Sequence, residues 1–134
     1  MRKLLPLLAG SLLLAGPAAA ERDRSPEAEL ARAIQGRVAG EPVDCISLRN
    51  VRSSHVIPNT AIVYDAGSVV YVNHPANGAD SLNRWDTMVT NLTSDRLCSV
   101  DTVRMVDNHN HFLTGIVFLG EFVPYRRVQT GSAN

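Results

Sequence analysis

Beyond residue 25 the apolar positions fall into two textures, helical first and extended afterwards. Leu30, Ile34 and Val38 recur every fourth residue with Ala31 beside them, the spacing that lines one stripe of an amphipathic helix. Ser25-Pro26 supplies an N-cap and a first-turn proline, and Glu27 and Glu29 sit where the helix dipole favours carboxylates. Gly40 and Pro42 end the pattern, which predicts one helix over residues 26–39 with Gly36 as its weak point.

From Val43 onward β-branched and aromatic residues alternate with short turn clusters. Residues 43–51 alternate loosely. Residues 60–64 and 69–73 read as strands joined by a tight turn at Asp65-Ala66-Gly67. Residues 75–84 are rich in Asn, Gly, Asp and Ser and read as a loop. A further strand is expected at 87–92, turned by Thr93-Ser94-Asp95. The two strongest strand candidates are 97–106 and 112–123, joined by a tip at Asp107 to His111. Gly115 and Gly120 inside the last run predict a bulge or a sharp bend. About six short strands after one helix imply a mainly β fold: a small antiparallel barrel or sandwich with one N-terminal amphipathic helix.

The first 20 residues have another character. Arg2 and Lys3 precede an apolar run from Leu4 to Leu14, and Gly16-Pro17 leads into Ala18-Ala19-Ala20. That is the layout of a secretory signal peptide cleaved before Glu21. The run is shorter than the about 20 residues a bilayer core demands, and nothing later is long or apolar enough to enter a membrane. The organisation expected is a signal peptide at 1–20, a helical segment at 21–42, a β-rich domain at 43–127 and a disordered tail at 128–134. The address expected is the bacterial periplasm or the medium.

Charge changes the picture little. The whole chain carries 13 basic and 13 acidic residues. Loss of Arg2 and Lys3 leaves a slightly acidic domain whose cations are all Arg. Such a balance gives no electrostatic footprint for nucleic acid or anionic lipid. Cys45 and Cys98 are the two cysteines. An even pair in an oxidising compartment predicts one disulfide, two unpaired buried thiols being the alternative. Their spacing is not C-x-x-C, so a thioredoxin-like role has no support.

Candidate chemistry concentrates at the tip. His109 and His111, two apart, point to one side of an extended chain, and Asp107 offers an oxygen ligand. His55 or His74 would complete a metal site if the fold brought one near. The alternative is an ordinary exposed turn, for which Asn, Asp and His are suited. No G-x-S-x-G elbow or phosphate-binding glycine loop is present. Asp101 is expected in an ion pair with Arg49 or Arg104. The sequon Asn91-Leu92-Thr93 carries no weight in a bacterial chain. Phe112, Phe118, Phe122 and Tyr125 are expected mostly in the core. Trp85, between Arg84 and Asp86, is expected to be partly exposed, either as a contact anchor or packing its loop onto the barrel.

Cys45-Ile46-Ser47-Leu48 with Val51-Arg52, Val70-Tyr71-Val72-Asn73, Leu97-Cys98-Ser99-Val100-Asp101 and the run from Val117 to Tyr125 carry a family likeness. Over residues 40–127 the chain resembles an uncharacterised family of short exported bacterial proteins, a domain of unknown function. The resemblance implies a small β-rich periplasmic domain with Cys45 bonded to Cys98, and it assigns no activity. Some members carry another Cys near Asp80-Ser81-Leu82, where this chain has none. No cofactor is implied. The leading expectation is a non-enzymatic envelope domain that binds a protein or a small ligand. The alternatives are a metal-binding or hydrolytic protein using Asp107, His109 and His111, and an inhibitor of an envelope enzyme.

Overall fold

The helical stripe stops sooner than its spacing predicts. The computed structural model describes Gly16 and residues 23–129, so nearly all of the expected signal peptide at 1–20, residues 21–22 and residues 130–134 of the expected tail lie outside the described residues. Helix α1 spans Pro26–Ala33, and the Ser25 hydroxyl accepts the Ala28 N–H at 3.2 Å as its N-cap. Gly36 takes φ +72°, the left-handed conformation that ends helices at glycine. The chain leaves as strand β1, Arg37–Ala39, rather than continuing to residue 39 as helix. Leu30 and Ile34 keep their place on the core, while Val38 turns outward, 57% exposed.

Nine more strands follow. They are β2 (Cys45–Ser47), β3 (Ser53–Ile57), β4 (Ala61–Asp65), β5 (Val69–Asn73), β6 (Thr87–Val89), β7 (Arg96–Cys98), β8 (Thr102–Val106), β9 (Leu113–Phe118) and β10 (Phe122–Arg127). They form three antiparallel sheets, in the orders β1-β10-β5-β4-β3, β2-β7 and β6-β8-β9. The fold is mainly β, and the sheets do not close into a barrel. Residues 97–106 divide into β7 and β8 because the Asp101 carboxylate accepts the Cys98 N–H at 2.7 Å and the Asp101 N–H returns to the Cys98 carbonyl. Residues 112–123 divide into β9 and β10 at the corner containing Gly120. The turn between β4 and β5 forms where expected, with Gly67 at φ +81°, the positive φ that tight hairpin turns require.

Burial explains the layering. Strand β4 is buried on both faces, so its sequence is a continuous apolar run. Ala61 and Val63 pack with Ile57, Val70, Val72 and the α1 residues Leu30, Ala33 and Ile34. On the opposite face, Ile62, Tyr64 and Phe122 pack against Ile46, Leu97, Val103, Met105 and Val117 from the two smaller sheets and Leu119 just after β9. The five-stranded sheet is thus the middle layer. Each side chain removed from water as fully as Ile57 or Phe122 stabilises by roughly 1.5–3 kcal/mol.

Two devices fasten particular elements to one another, one within a sheet and one at a corner. Cys45 lies opposite Cys98 in the β2-β7 pair, with Cα atoms 4.0 Å apart, and the two form a disulfide. Asn73, fully buried at the end of β5, donates through Nδ2 to the Gly120 carbonyl at 2.7 Å and accepts the Gly120 N–H at 3.0 Å. That amide pins the Gly120 corner to the end of β5, beside the backbone bonds of Phe118 and Phe122.

Candidate functional site

The tip between β8 and β9 is a capped turn. The Asp107 carboxylate accepts the backbone N–H groups of His109 at 2.7 Å and Asn110 at 3.1 Å. Those two donors, Asn110 first, hold its carboxyl below the usual carboxylate range, and the nearby imidazoles act in the same direction. His111 closes the turn at φ +60°. The His109 side chain is 97% exposed, with Nδ1 3.8 Å from Asp107 Oδ1. His55 lies on β3 and His74 follows β5. Among the described residues no three His, Cys, Asp or Glu side chains are gathered as metal ligands.

The tip is fastened to the loop that carries Trp85. Asn108 Nδ2 donates to the Trp85 carbonyl, the Thr87 hydroxyl bonds Asn108 Oδ1, and the Thr114 hydroxyl bonds Asp86 Oδ2. Trp85 is 80% exposed, well beyond the partial exposure its sequence context suggests. Asp101 makes no ion pair with Arg49 or Arg104. It holds the turn after β7, and Arg49 pairs instead with Asp95 at 2.8 Å.

The register of the three-stranded sheet assembles a surface that periodicity did not reveal. Arg104 pairs with Ile116 and Val89, Thr102 with Phe118, and Val106 with Leu113 and Thr87. The ladder slips by one residue between Met105 and Val106, opposite Gly115, where a bulge or bend was expected. That slip turns Leu113 to the same side as Ile116 and Phe118. All three are substantially exposed, at 51%, 41% and 49%, and Phe112 beside them reaches 70%. The expectation that Phe112 and Phe118 lie in the core is therefore corrected: Val117 and Leu119 fill it. Arg104 stands among these apolar groups, with no carboxylate within salt-bridge distance among the described residues. Single exposed apolar residues are ordinary, whereas several side by side on one sheet face are not.

A groove of about 690 Å3 occupies a different part of the molecule, between α1, β3 and the residues leading into β6. Glu29, Arg32 and Ala33 form one wall, and Asn83, Arg84, Asp86 and Met88 the other. Compared with known proteins, the chain matches no family model, no curated protein and no solved structure.

Proposed function

We propose that this is an exported, non-catalytic recognition domain that meets its partner through the outer face of β6-β8-β9. The exposure of Leu113, Ile116 and Phe118 on one strand face carries the reading. Arg104 within that face favours a partner protein whose apolar surface presents a carboxylate opposite it. Trp85 and Phe112 extend the surface at the tip end, and Trp is enriched among residues that dominate binding energy. The leader-like residues 1–20, the Cys45–Cys98 bond and the resemblance to short exported proteins support an extracytoplasmic address.

Paired capture tests this. Crosslinking in periplasmic extract is run with the native domain, with Ile116→Asp/Phe118→Asp and with Arg104→Glu, each shown by circular dichroism to be folded. The reading expects a partner captured by the native domain and lost with both variants. A partner retained equally by both would refute it.

A further inference from the structure

Strand β3 is an outer strand of the five-stranded sheet, and its backbone faces the groove. The Thr60 N–H donates to the Ile57 carbonyl at 3.1 Å, so Ile57 directs its polar groups toward β4. By alternation, the N–H and C=O groups of Ser54 and Val56 point away from β4, into the space that both residues line. An open strand edge is a template for one more strand. We infer that the groove takes an extended peptide by strand addition to β3, and that the peptide alternates aliphatic and acidic side chains.

The alternation follows from the walls. Ser54 sits across from Tyr64, on the side of the middle sheet that faces the smaller sheets. There a cleft of about 140 Å3, lined by Leu48, Val51, Met88, Leu97 and Val103, shares Ser54 and Met88 with the groove. It is apolar and large enough for one aliphatic side chain. His55 sits across from Val63, on the side covered by α1. On that side stands Arg32, whose hydrogen bond is to the Asp23 carbonyl at 2.8 Å and which has no carboxylate within salt-bridge distance among the described residues. The other charges are already engaged. Arg84 pairs with Glu29 across the groove, and Asp86 accepts from Asn83 and Thr114. Neighbouring residues of a strand point to opposite faces, so an aliphatic residue seated in the cleft places the next side chain toward Arg32. A second copy of this chain offering its own β3 would carry its own α1 and residues 83–88 against these walls, a bulk that a lone extended peptide lacks. Backbone pairing supplies affinity in this mode and alternate pockets supply selectivity.

The peptides acetyl-LELELE-amide, acetyl-LKLKLK-amide and acetyl-SESESE-amide make the test independent of register. Binding to the native domain is followed by fluorescence anisotropy, with amide exchange measured by NMR. The first peptide is expected to bind in the micromolar range and to protect the Ser54 and Val56 amides. The other two should bind at least about tenfold more weakly, a difference of about 1.4 kcal/mol. Ser54→Pro removes a groove-facing donor without breaking a ladder bond to β4 and should abolish binding. Arg32→Glu, shown by circular dichroism to be folded, should reverse the preference toward the lysine peptide. Equal binding of all three peptides would overturn the inference. So would no binding of the first below millimolar concentration, or protection on β9 instead of β3. Because Ile116→Asp/Phe118→Asp lies elsewhere, its failure to affect partner capture would leave this result untouched.

Discussion

Replacing Asn73 by Asp changes one atom type at the pin between β5 and the Gly120 corner. One side-chain oxygen still accepts the Gly120 N–H, but the other faces the Gly120 carbonyl across the 2.7 Å now spanned by a donated hydrogen bond. Two acceptors at that separation repel unless the introduced carboxyl is protonated. Its site is fully buried, so desolvation also favours the neutral acid. Fully buried carboxyls are raised by up to 3–5 units, and a rise of about three units is a reasonable magnitude here. The folded-state pKa then lies above the unfolded value of about 3.9. Between the two values the native state binds more protons than the unfolded chain. Unfolding free energy, relative to wild type, should therefore fall by about 1.4 kcal/mol per pH unit as pH rises through that window. The deficit vanishes below pH about 4 and levels off near 4 kcal/mol at neutral pH, against a total of about 5–15 kcal/mol for an ordinary domain. Urea denaturation of both proteins from pH 3.5 to 8 measures it. Asn73→Leu is the control: it orphans both Gly120 backbone groups and should cost about 2–5 kcal/mol without pH dependence. A deficit of Asn73→Asp that is flat with pH, or absent at pH 7, would refute the account of the pin.

Other perturbations probe the remaining links. Converting both Cys45 and Cys98 to Ala should cost about 4 kcal/mol through loop entropy and lower the melting temperature by roughly 15–20 °C. A calorimetric shift below about 5 °C would show that the bridge hardly constrains the unfolded chain. Ser25→Ala leaves the Ala28 N–H without its cap and should cost about 1 kcal/mol by denaturant titration. The depressed Asp107 carboxyl contributes stability above its ordinary titration range and loses it as pH falls through the depressed value. Asp107→Ala should therefore narrow its deficit toward strongly acidic pH. Replacing His109 and His111 together by Ala should change stability by less than about 0.5 kcal/mol. Micromolar zinc should leave the native melting temperature unmoved, and a rise that this double variant abolishes would establish a metal site at the tip.

Much of this protein is written in local pattern. Ser25-Pro26 and the Leu30–Ile34 spacing specify a helix at the place where it forms, because capping and stripe are contacts within a few residues. Asp65-Ala66-Gly67 and Asp107 to His111 specify turns for the same reason, and the composition from Val43 onward specifies strands. Where local rules compete, the sequence is ambiguous. Gly36 reads as a blemish in a helix or as its terminator, and only the partner strand β10, waiting for β1, decides for the terminator. Strand β3 eluded the reading because Ser53, Ser54 and His55 are polar and exposed, and only pairing with β4 makes them a strand. The exposed apolar face of β9 was hidden by a different cause. Along residues 112–119 both alternating sets are apolar, so periodicity cannot say whether Phe118 or Val117 faces water. That choice belongs to the tertiary structure. The register of β9 on β8 and the Asn73–Gly120 pin orient β9 so that Val117 joins Phe122 and Tyr64 in the core, leaving Phe118 and Ile116 outside. Which of two equally apolar faces is buried depends on where another sheet lies, and that is a long-range fact no window of sequence contains.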